Sequence, residues 1–304
     1  MRVATILVNW NQTDLTLDCL ESLSDAGVEQ PTIWVVDNGS QPPAAPALHG
    51  RFPAINIITL PTNCGFTGGN NVGVRAVLKQ PFEALFLLNN DAVVEPATLP
   101  ALIAGLQAHP TIAAVSPKVY YAVEGKMLQS VGLAVDRFSG RTTMLGSNQP
   151  DVGQYEQPAD REALFGCAML IRSAAWQQIG EFWEPFFNYA EETDWCLRAR
   201  AAGWRLVYQP AASVRHRTSS SLGWNAPLKV YLIARNQLWL RQRNAGTGWR
   251  RWRGALQVAA QYARMGFGLL RRRRWQHALA IWLGIWDYWW GRTGNTRTAT
   301  LQRR

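Results

Sequence analysis

Short apolar runs separated by helical patterns constrain the fold of this chain more than any other feature. The apolar runs lie at 4–8, 32–36, 55–60 and 84–88. Helical spacing of apolar residues occurs between them, at 14–26 and 68–78. Strands that are apolar throughout are typical of a parallel sheet with helices on both faces. The repeated order of strand, helix and strand predicts an α/β fold with a doubly wound, mainly parallel sheet.

Weaker patterns predict the remaining elements of the N-terminal part. Further helices are expected at 98–108 and 192–202. Further strands are expected at 112–116, 163–172 and 204–209. The Gly, Ser and other polar residues of 136–161 predict a long loop.

The distribution of charge divides the chain into two parts. Residues 1–227 carry 15 Lys and Arg against 20 Asp and Glu, a net charge of −5. Residues 228–304 carry 16 Lys and Arg against one Asp, a net charge of +15. A content of 47% apolar residues excludes disorder of the whole chain. We therefore predict an α/β domain at 1–227 and a basic, Trp-rich helical extension at 228–304.

The cysteines and the N-terminus indicate the compartment. Four cysteines, at positions 19, 64, 167 and 196, share no metal-ligand spacing, so we expect reduced thiols. The first residues are typical of a core strand and not of a signal peptide. No apolar run reaches the roughly 18 residues that a spanning helix needs. We expect a cytoplasmic protein without a transmembrane helix.

Polar residues follow the predicted strands, where an open α/β sheet binds nucleotides. Asp37 can accept a hydrogen bond from a pyrimidine ring N–H or from ribose hydroxyls, or it caps its own turn. The Gly-rich run 65–71 opens a helix whose N–H groups can meet a nucleotide. Asp91, at the end of Asn89-Asn-Asp91, can hold a divalent cation that bridges phosphates, although Asn and Asp are also common turn residues.

An acidic cluster at the start of the 192–202 helix suggests a proton acceptor. Glu191, Glu192 and Asp194 lie in its first turn, where the helix dipole favours carboxylates. Three acids so close also repel one another, which raises the pKa of one of them and suits a general base.

Two further features bear on the same region. Aromatic residues at 186–189, together with Trp195, suit an apolar-walled pocket for an acceptor sugar. His216 lies between two arginines and is either an ordinary surface or core histidine or a ligand of the same cation.

Six short motifs occur in a fixed order along the chain. They are Ile6-Leu-Val-Asn-Trp-Asn11, Val35-Val-Asp-Asn-Gly-Ser40, Asn63-Cys-Gly-Phe66, Gly68-Gly-Asn-Asn71, Leu88-Asn-Asn-Asp91 and Glu191-Glu-Thr-Asp-Trp195. This set closely resembles glycosyltransferase family 2, especially its rhamnosyltransferase-like branch, over about residues 3–217. The resemblance implies a GT-A fold, a nucleoside-diphosphate sugar donor, Mg²⁺ or Mn²⁺ as cofactor, and inverting transfer by one direct displacement.

On the donor side, the resemblance places Asp37 at the pyrimidine base and Asn63 at the nucleoside. It places the metal ion at Asp91 and His216. Asn89 stands where the family motif has its first acid, as is common in this branch. The predicted donor-binding residues are Asn9, Asp37, Asn63, Gly65, Asn70, Asn89 and Asp91.

On the acceptor side, the resemblance implies that Glu192 is the general base that takes the proton of the acceptor hydroxyl. Glu192 replaces the usual Asp and is longer by one methylene, so Glu191 and Asp194 stay open as alternatives. Trp195 and Asp194 are predicted to bind the acceptor.

The C-terminal extension carries two apolar stripes with helical spacing. The first stripe is Leu256, Ala260, Ala263, Phe267 and Leu270. The second stripe follows Arg271-Arg-Arg-Arg274 and is Trp275, Leu279, Trp282, Trp286 and Trp289. Such helices lie in a membrane interface with Arg at anionic head groups, or pack on the catalytic domain or on another subunit. We predict contact with the membrane surface through 250–290.

The predicted function is transfer of L-rhamnose from dTDP-rhamnose to a hydroxyl of a lipid-linked glycan, in surface-polysaccharide synthesis at the inner face of the cell membrane. The alternative donors are UDP-sugars of N-acetylglucosamine or galactofuranose. Two rival functions are nucleic-acid binding by the basic extension and a catalytically inactive scaffold. Nucleic-acid binding is disfavoured because the positive charge is confined to the extension. The oligomeric state is left open.

Overall fold

The computed structural model describes residues 1–123, 125–136, 141–218, 226–244, 249–297 and 301, and only the backbone of 249–252. The strands are β1 Val3–Asn9, β2 Ile33–Asp37, β3 Asn56–Thr59, β4 Ala84–Asn89, β5 Ala92–Val94, β6 Ile112–Tyr121, β7 Met127–Ser130, β8 Leu133–Val135, β9 Thr142–Met144, β10 Gln149–Pro150, β11 Ala159–Asp160, β12 Ala168–Arg172 and β13 Arg205–His216. The α-helices are α1 Thr13–Asp25, α2 Ala45–Arg51, α3 Gly65–Val77, α4 Thr98–Gln107, α5 Ser173–Ile179, α6 Glu191–Ala201, α7 Pro227–Asn244, α8 Trp249–Arg271 and α9 Trp275–Trp289. Short 3₁₀ turns occur at Gln30–Thr32 and Glu184–Phe186.

A mixed sheet with the strand order β10-β7-β6-β12-β4-β1-β2-β3 forms the centre of the molecule. β1 pairs in parallel with β2 and β4, and β2 pairs in parallel with β3. β12 lies antiparallel between β4 and β6. β13 runs parallel to β6 and antiparallel to β5. The doubly wound arrangement predicted for the first part of the chain is therefore confirmed.

The apolar strands are buried on both faces of this sheet. Ile6 and Leu7 of β1 are both fully buried, but they belong to clusters on opposite sides. Leu85 and Phe86 of β4 are divided in the same way. Because successive side chains of a strand point to opposite faces, a strand covered on both sides needs apolar residues at every position. This burial explains why the predicted strands show so little alternation.

Several elements differ from the sequence-based expectation. β13 continues from Arg205 to His216 instead of ending near 209, and it pairs with β6 through an irregularity between Gln209 and Ser213. Pro210 lies in this irregularity, where a residue without an N–H is tolerated in a strand. The predicted loop at 136–161 contains the short strands β9, β10 and β11, and its residues 137–140 lie outside the described residues.

The C-terminal helices α7, α8 and α9 pack against one another, and a charge cluster around a buried carboxylate joins α7 to α9. Its centre is Asp287 of α9, the single acidic residue of 228–304. Asp287 accepts hydrogen bonds from Tyr231 Oη at 2.9 Å, from Arg297 Nε and Nη2 at 2.8 Å each and from Arg292 Nη1 at 3.3 Å. Burial alone raises the pKa of this carboxyl, but the bonds from Arg297 and Tyr231 outweigh burial and lower the pKa. Within the described residues, no helix is both long and apolar enough to cross a membrane.

We expect Asp287→Ala to lower the free energy of unfolding by about 1–3 kcal/mol, because it leaves the buried hydroxyl of Tyr231 and the partly buried guanidinium of Arg297 without their acceptor. Chemical denaturation followed by circular dichroism measures this loss. Asp25→Asn is the control, since Asp25 is exposed at the end of α1 and such changes usually stay within about 0.5 kcal/mol. Equal stability of the two variants would contradict a structural role for Asp287.

Candidate active site

The carboxyl ends of β1, β2 and β4 meet at one edge of the sheet, and a crevice of about 440 Å³ opens there. In the strand register, Asn9 lies beside Asp37 and Val8 lies beside Asn89. The predicted site residues that line the crevice are Asn63, Gly65, Asn89, Asp91, Glu191, Glu192 and His216. Residues far apart in the sequence are thus brought together as the motif positions indicated.

One corner of the crevice brings together side chains that could hold a cation. Asp91 Oδ1 and His216 Nε2 are 3.0 Å apart, and both side chains are almost fully buried. The antiparallel pairing of β5 with β13 places His216 opposite Ala92, directly after Asp91. The Oδ1 atom of Asn89 is buried beside them and has no hydrogen-bond partner. Although the described residues contain no cluster of three acidic, His or Cys ligands, this carboxylate, imidazole and amide oxygen fit a divalent cation that also binds phosphate oxygens.

Gln129 of β7 supports this corner from behind. Its Oε1 atom lies 2.9 Å from His216 Nδ1 and accepts a hydrogen bond from it, so Nε2 faces Asp91. Burial alone lowers the pKa of His216, but without a cation the interactions with Cys167 and Asp91 raise it to about 10, so a bound cation would have to replace the proton on Nε2. Orientation of a metal-binding imidazole by a hydrogen bond at its other nitrogen is usual in proteins. Nothing in the sequence pattern around Gln129 indicated this role, because the contact depends on strand pairing across the sheet.

The nucleotide side of the crevice is formed by the turn before α3. Asn63 Oδ1 accepts hydrogen bonds from Gly65 N at 2.7 Å and from Asn38 Nδ2 at 3.1 Å. Gly65 has a φ of +80°, and a Cβ atom there would lie 2.1 Å from the carbonyl oxygen of Phe187. Only glycine fits this position. Asn38, which also lines the crevice, was not among the predicted site residues.

Three predicted donor-binding residues do not reach the crevice. Asp37 is 0% exposed, and its carboxylate accepts from Ser40 N at 3.3 Å and Ala44 N at 2.7 Å. Asn9 Nδ2 donates to Ser40 Oγ, and Asn70 Nδ2 donates to Phe66 O within α3. In this conformation the oxygens of Asp37 cap the turn that follows β2, and contact between Asp37 and the base stays a prediction.

The acidic cluster divides into two groups with different surroundings. Glu191 and Glu192 begin α6 and line the crevice, and the Oε2 atom of each has no hydrogen-bond partner. Burial raises the pKa of both, and the charge of Glu192 raises that of Glu191 further. The Glu192 side chain packs on Gly166, where a Cβ atom would come within 3.1 Å of its Cγ. A carboxylate held in this way is a suitable general base.

Asp194 and Trp195 point away from the crevice. Asp194 is 0% exposed and accepts from Arg198 Nε and Arg243 Nε at 2.9 Å each and from Asn244 Nδ2 at 3.0 Å. Trp195 is fully buried and stacks on Trp176, with ring centroids 5.8 Å apart. The expected acceptor contacts of these two residues are corrected, because α6 turns one face to the core. Asp194 also fails as the alternative base, since two arginines already neutralise it.

The side of the crevice beyond α6 is formed by α7. The residues of α7 that line it are Leu228, Lys229, Ile233, Asn236, Gln237 and Leu240. They face Phe187 and Tyr189, whose aromatic character had suggested an acceptor pocket. The domain boundary at 227 stays a prediction. Residues from both sides of this boundary line the same crevice. No local pattern in α7 indicates this role, because it depends on how the helix packs against the residues that precede α6.

We expect Asp91→Asn to weaken Mn²⁺ binding in the presence of a nucleoside diphosphate, because it removes the charged oxygen ligand. Loss of a residue that orients a metal ligand lowers metal affinity by about tenfold or more. Gln129→Leu should therefore reduce Mn²⁺ affinity by about tenfold, and Asp91→Asn should reduce it further. Electron paramagnetic resonance of free Mn²⁺ measures both. Asp14→Asn, on the exposed start of α1, is the control. Unchanged affinity of the Asp91 variant would remove the cation from this corner.

Comparison with known proteins identifies the family of this chain from its sequence and the fold from its structure. Residues 2–237 match the family described as "Glycosyltransferase like family 2". The N-acetylglucosaminyl-diphospho-decaprenol L-rhamnosyltransferase of Mycobacterium tuberculosis is 27% identical over 222 residues, which cover 67% of this chain and 72% of that protein.

Two solved structures resemble the whole chain in shape. The mannosyltransferase PcManGT from Pyrobaculum calidifontis, in complex with GDP-Man and Mn²⁺, has a TM-score of 0.57 and 14% identity, and the match covers 95% of this chain and 87% of that one. S. aureus TarS 1–349 in complex with UDP-GlcNAc has a TM-score of 0.53 and 15% identity, covering 96% and 93%. These likenesses confirm the GT-A fold. The chain is a glycosyltransferase and belongs to the family 2-like glycosyltransferases.

Proposed function

We propose that this glycosyltransferase moves L-rhamnose, with inversion, from dTDP-rhamnose to a hydroxyl of a lipid-linked glycan. The observation that carries the proposal is one crevice that joins the Asp91 and His216 pair to the buried carboxylate of Glu192, whose Oε2 atom has no hydrogen-bond partner among the described residues. A cation site and a base are the two groups that direct displacement of a diphosphate requires. The printed name of the mycobacterial relative supports the choice of rhamnose and of a lipid diphosphate acceptor.

The residues act as follows. Glu192 removes the proton from the acceptor hydroxyl, whose oxygen attacks the anomeric carbon from the face opposite the diphosphate. Asp91, His216 and Asn89 would hold Mg²⁺ or Mn²⁺, which when bound neutralises charge on the leaving diphosphate. Gln129 keeps Nε2 of His216 directed at that site. Burial of Glu192 raises its pKa, which makes the carboxylate a stronger proton acceptor.

We expect Glu192→Gln to lower kcat by about 100-fold or more, the usual contribution of a general base. Affinity for the nucleoside diphosphate should stay nearly unchanged, because an amide occupies the same volume. Release of the nucleoside diphosphate at saturating substrate concentrations measures kcat, and calorimetric titration measures nucleotide affinity. Glu29→Gln, at an exposed position, is the control. Near-normal turnover of the Glu192 variant, with a large loss in Glu191→Gln, would transfer the role to Glu191.

The donor is tested by nucleoside-diphosphate release from dTDP-, UDP- and GDP-sugars, with Mg²⁺ or Mn²⁺ and a membrane lipid extract as the source of acceptor. We expect lipid-dependent release from dTDP-rhamnose. Release from UDP-N-acetylglucosamine or UDP-galactofuranose instead would replace the donor and keep the mechanism. The structure of TarS with UDP-GlcNAc makes a UDP-sugar the second candidate.

We further propose that α8 and α9 hold the enzyme peripherally on the inner face of the membrane. Leu256 and Phe267 of α8 and Trp275 and Trp286 of α9 are each more than half exposed. Phe267 and Trp282 join the two stripes, with ring centroids 4.9 Å apart. Arg271–Arg274, all exposed, lie between the helices. An apolar face beside clustered arginines suits the interface of an anionic bilayer, where a lipid-linked acceptor would lie.

The double substitution Phe267→Ser and Trp286→Ser should weaken binding to vesicles of phosphatidylglycerol and phosphatidylethanolamine by at least about tenfold. It removes exposed apolar area that the bilayer would bury on binding. Cosedimentation measures the binding. Val152→Ser is the matched control, since Val152 is an exposed apolar residue outside the extension. Wild-type binding that is equal on phosphatidylcholine alone, or absent from all vesicles, would contradict an anionic membrane as the partner.

A further inference from the structure

The loop that leads into α6 has an unusual backbone. We name residues 186–190 the catalytic loop, because Glu191 and Glu192 follow it directly. Phe187, Tyr189 and Ala190 have φ angles of +66°, +70° and +79°. Residues with side chains rarely adopt positive φ, and they keep it only where their surroundings hold them there. Contacts from outside the catalytic loop must therefore maintain its shape.

These contacts come from two adjacent residues of α7. The two N–H groups of Asn236 Nδ2 are shared among three carbonyl oxygens, those of Phe186 at 2.9 Å, Asn188 at 2.8 Å and Tyr189 at 2.9 Å. Arg235 Nη2 donates to the same Phe186 oxygen at 3.1 Å. Arg235 Nε also donates to Asn236 Oδ1 at 3.0 Å, which fixes the direction of the amide. Both side chains are fully buried.

Arg235 is fixed in turn by the C-terminal helices. Its Nη1 atom donates to Gly294 O at 2.6 Å and to Tyr231 Oη at 3.2 Å. Tyr231 Oη donates to Asp287 of α9. A continuous set of hydrogen bonds thus runs from α9 through α7 to the catalytic loop.

The catalytic loop touches both halves of the reaction site. Phe187 O accepts a hydrogen bond from Thr67 N of α3 at 3.2 Å, next to the turn at Gly65 on the nucleotide side. At its other end the loop sets the first turn of α6 and with it Glu192. A shift of the loop would therefore move the base relative to the donor, and a displacement of about 1 Å can cost about 100-fold in rate.

We propose that Arg235 and Asn236 are positioning residues, which hold the catalytic loop so that Glu192 meets the acceptor hydroxyl in line with the donor. The inference rests on the proposed function for the identity of the base, but the loop geometry stands independently of it. The C-terminal helices are then part of the catalytic unit as well as a docking surface.

The test is the isosteric substitution Asn236→Asp, which replaces a donor to three carbonyls by an acceptor and keeps the acceptor for Arg235. We expect kcat to fall by about 100-fold. Affinity for the nucleoside diphosphate should change by less than about threefold, because Asn236 does not bond the Phe187 carbonyl that contacts α3 on the nucleotide side. Gln261→Glu makes the same chemical change at an exposed position of α8 and should leave both values unaltered.

A second variant keeps the proposal falsifiable if Asn236→Asp does not fold. Arg235→Lys preserves the charge but loses the fork that reaches Phe186 and Gly294 together. We expect it to lower kcat with little change in nucleotide affinity. A folded variant of either residue with wild-type kcat, or with parallel loss of kcat and nucleotide affinity, would overturn a positioning role.

Hydrogen exchange separates this proposal from the proposed function. Amides of 186–192 should exchange faster in both variants than in the wild type and the Gln261→Glu control, whether or not a donor has been found. Faster exchange with no transfer by the wild-type protein would reject the proposed function and keep the support of the loop by α7. Unchanged exchange in variants that lose turnover would reject the positioning role alone.

Discussion

The parallel pairing of β1 with β2 and β4 is the constraint on which the other features depend. Parallel strands end at the same edge of the sheet, so the turns after Asn9, Asp37 and Asn89 lie side by side. The long strand β13 then carries His216 to the same edge through its pairing with β5 and β6. The proximity of Asp91 and His216 is a direct consequence of this register, and a slip by one residue would turn each side chain to the other face.

Charge decides which carboxylates of the site remain available for chemistry. Asp194 lies between Arg198 and Arg243, so its negative charge is neutralised within the fold. No Lys or Arg of the described residues pairs with Glu191 or Glu192, and burial raises the pKa of both. Glu191 and Glu192 thus differ from the nearby Asp194 because they lie on a different face of the helix. A cation at Asp91 and His216 would also offset the negative charge that a donor diphosphate adds to this acidic crevice.

The C-terminal helices combine an exposed aromatic and basic surface with one wall of the crevice. Their outer surface exposes aromatic and arginine side chains, whereas α7 lines the crevice and supports the catalytic loop. Asp287 connects the two, since it binds Tyr231 of α7 and the arginines that follow α9. A membrane-docked enzyme built in this way would keep its acceptor side close to the lipid surface.

The sequence alone determined the doubly wound sheet, the family resemblance and the main polar residues of the crevice, among them Asn63, Asp91, Glu192 and His216. These features depend on local patterns, which are apolar strands, Gly-rich turns and acids at the start of a helix. Only the tertiary structure decided that Asp37 caps a turn, that Asp194 and Trp195 face the core, and that Gln129, Arg235 and Asn236 support the site. These roles arise from contacts between distant segments, and nothing in the spacing of residues along the chain specifies which side of a helix or strand meets its neighbour.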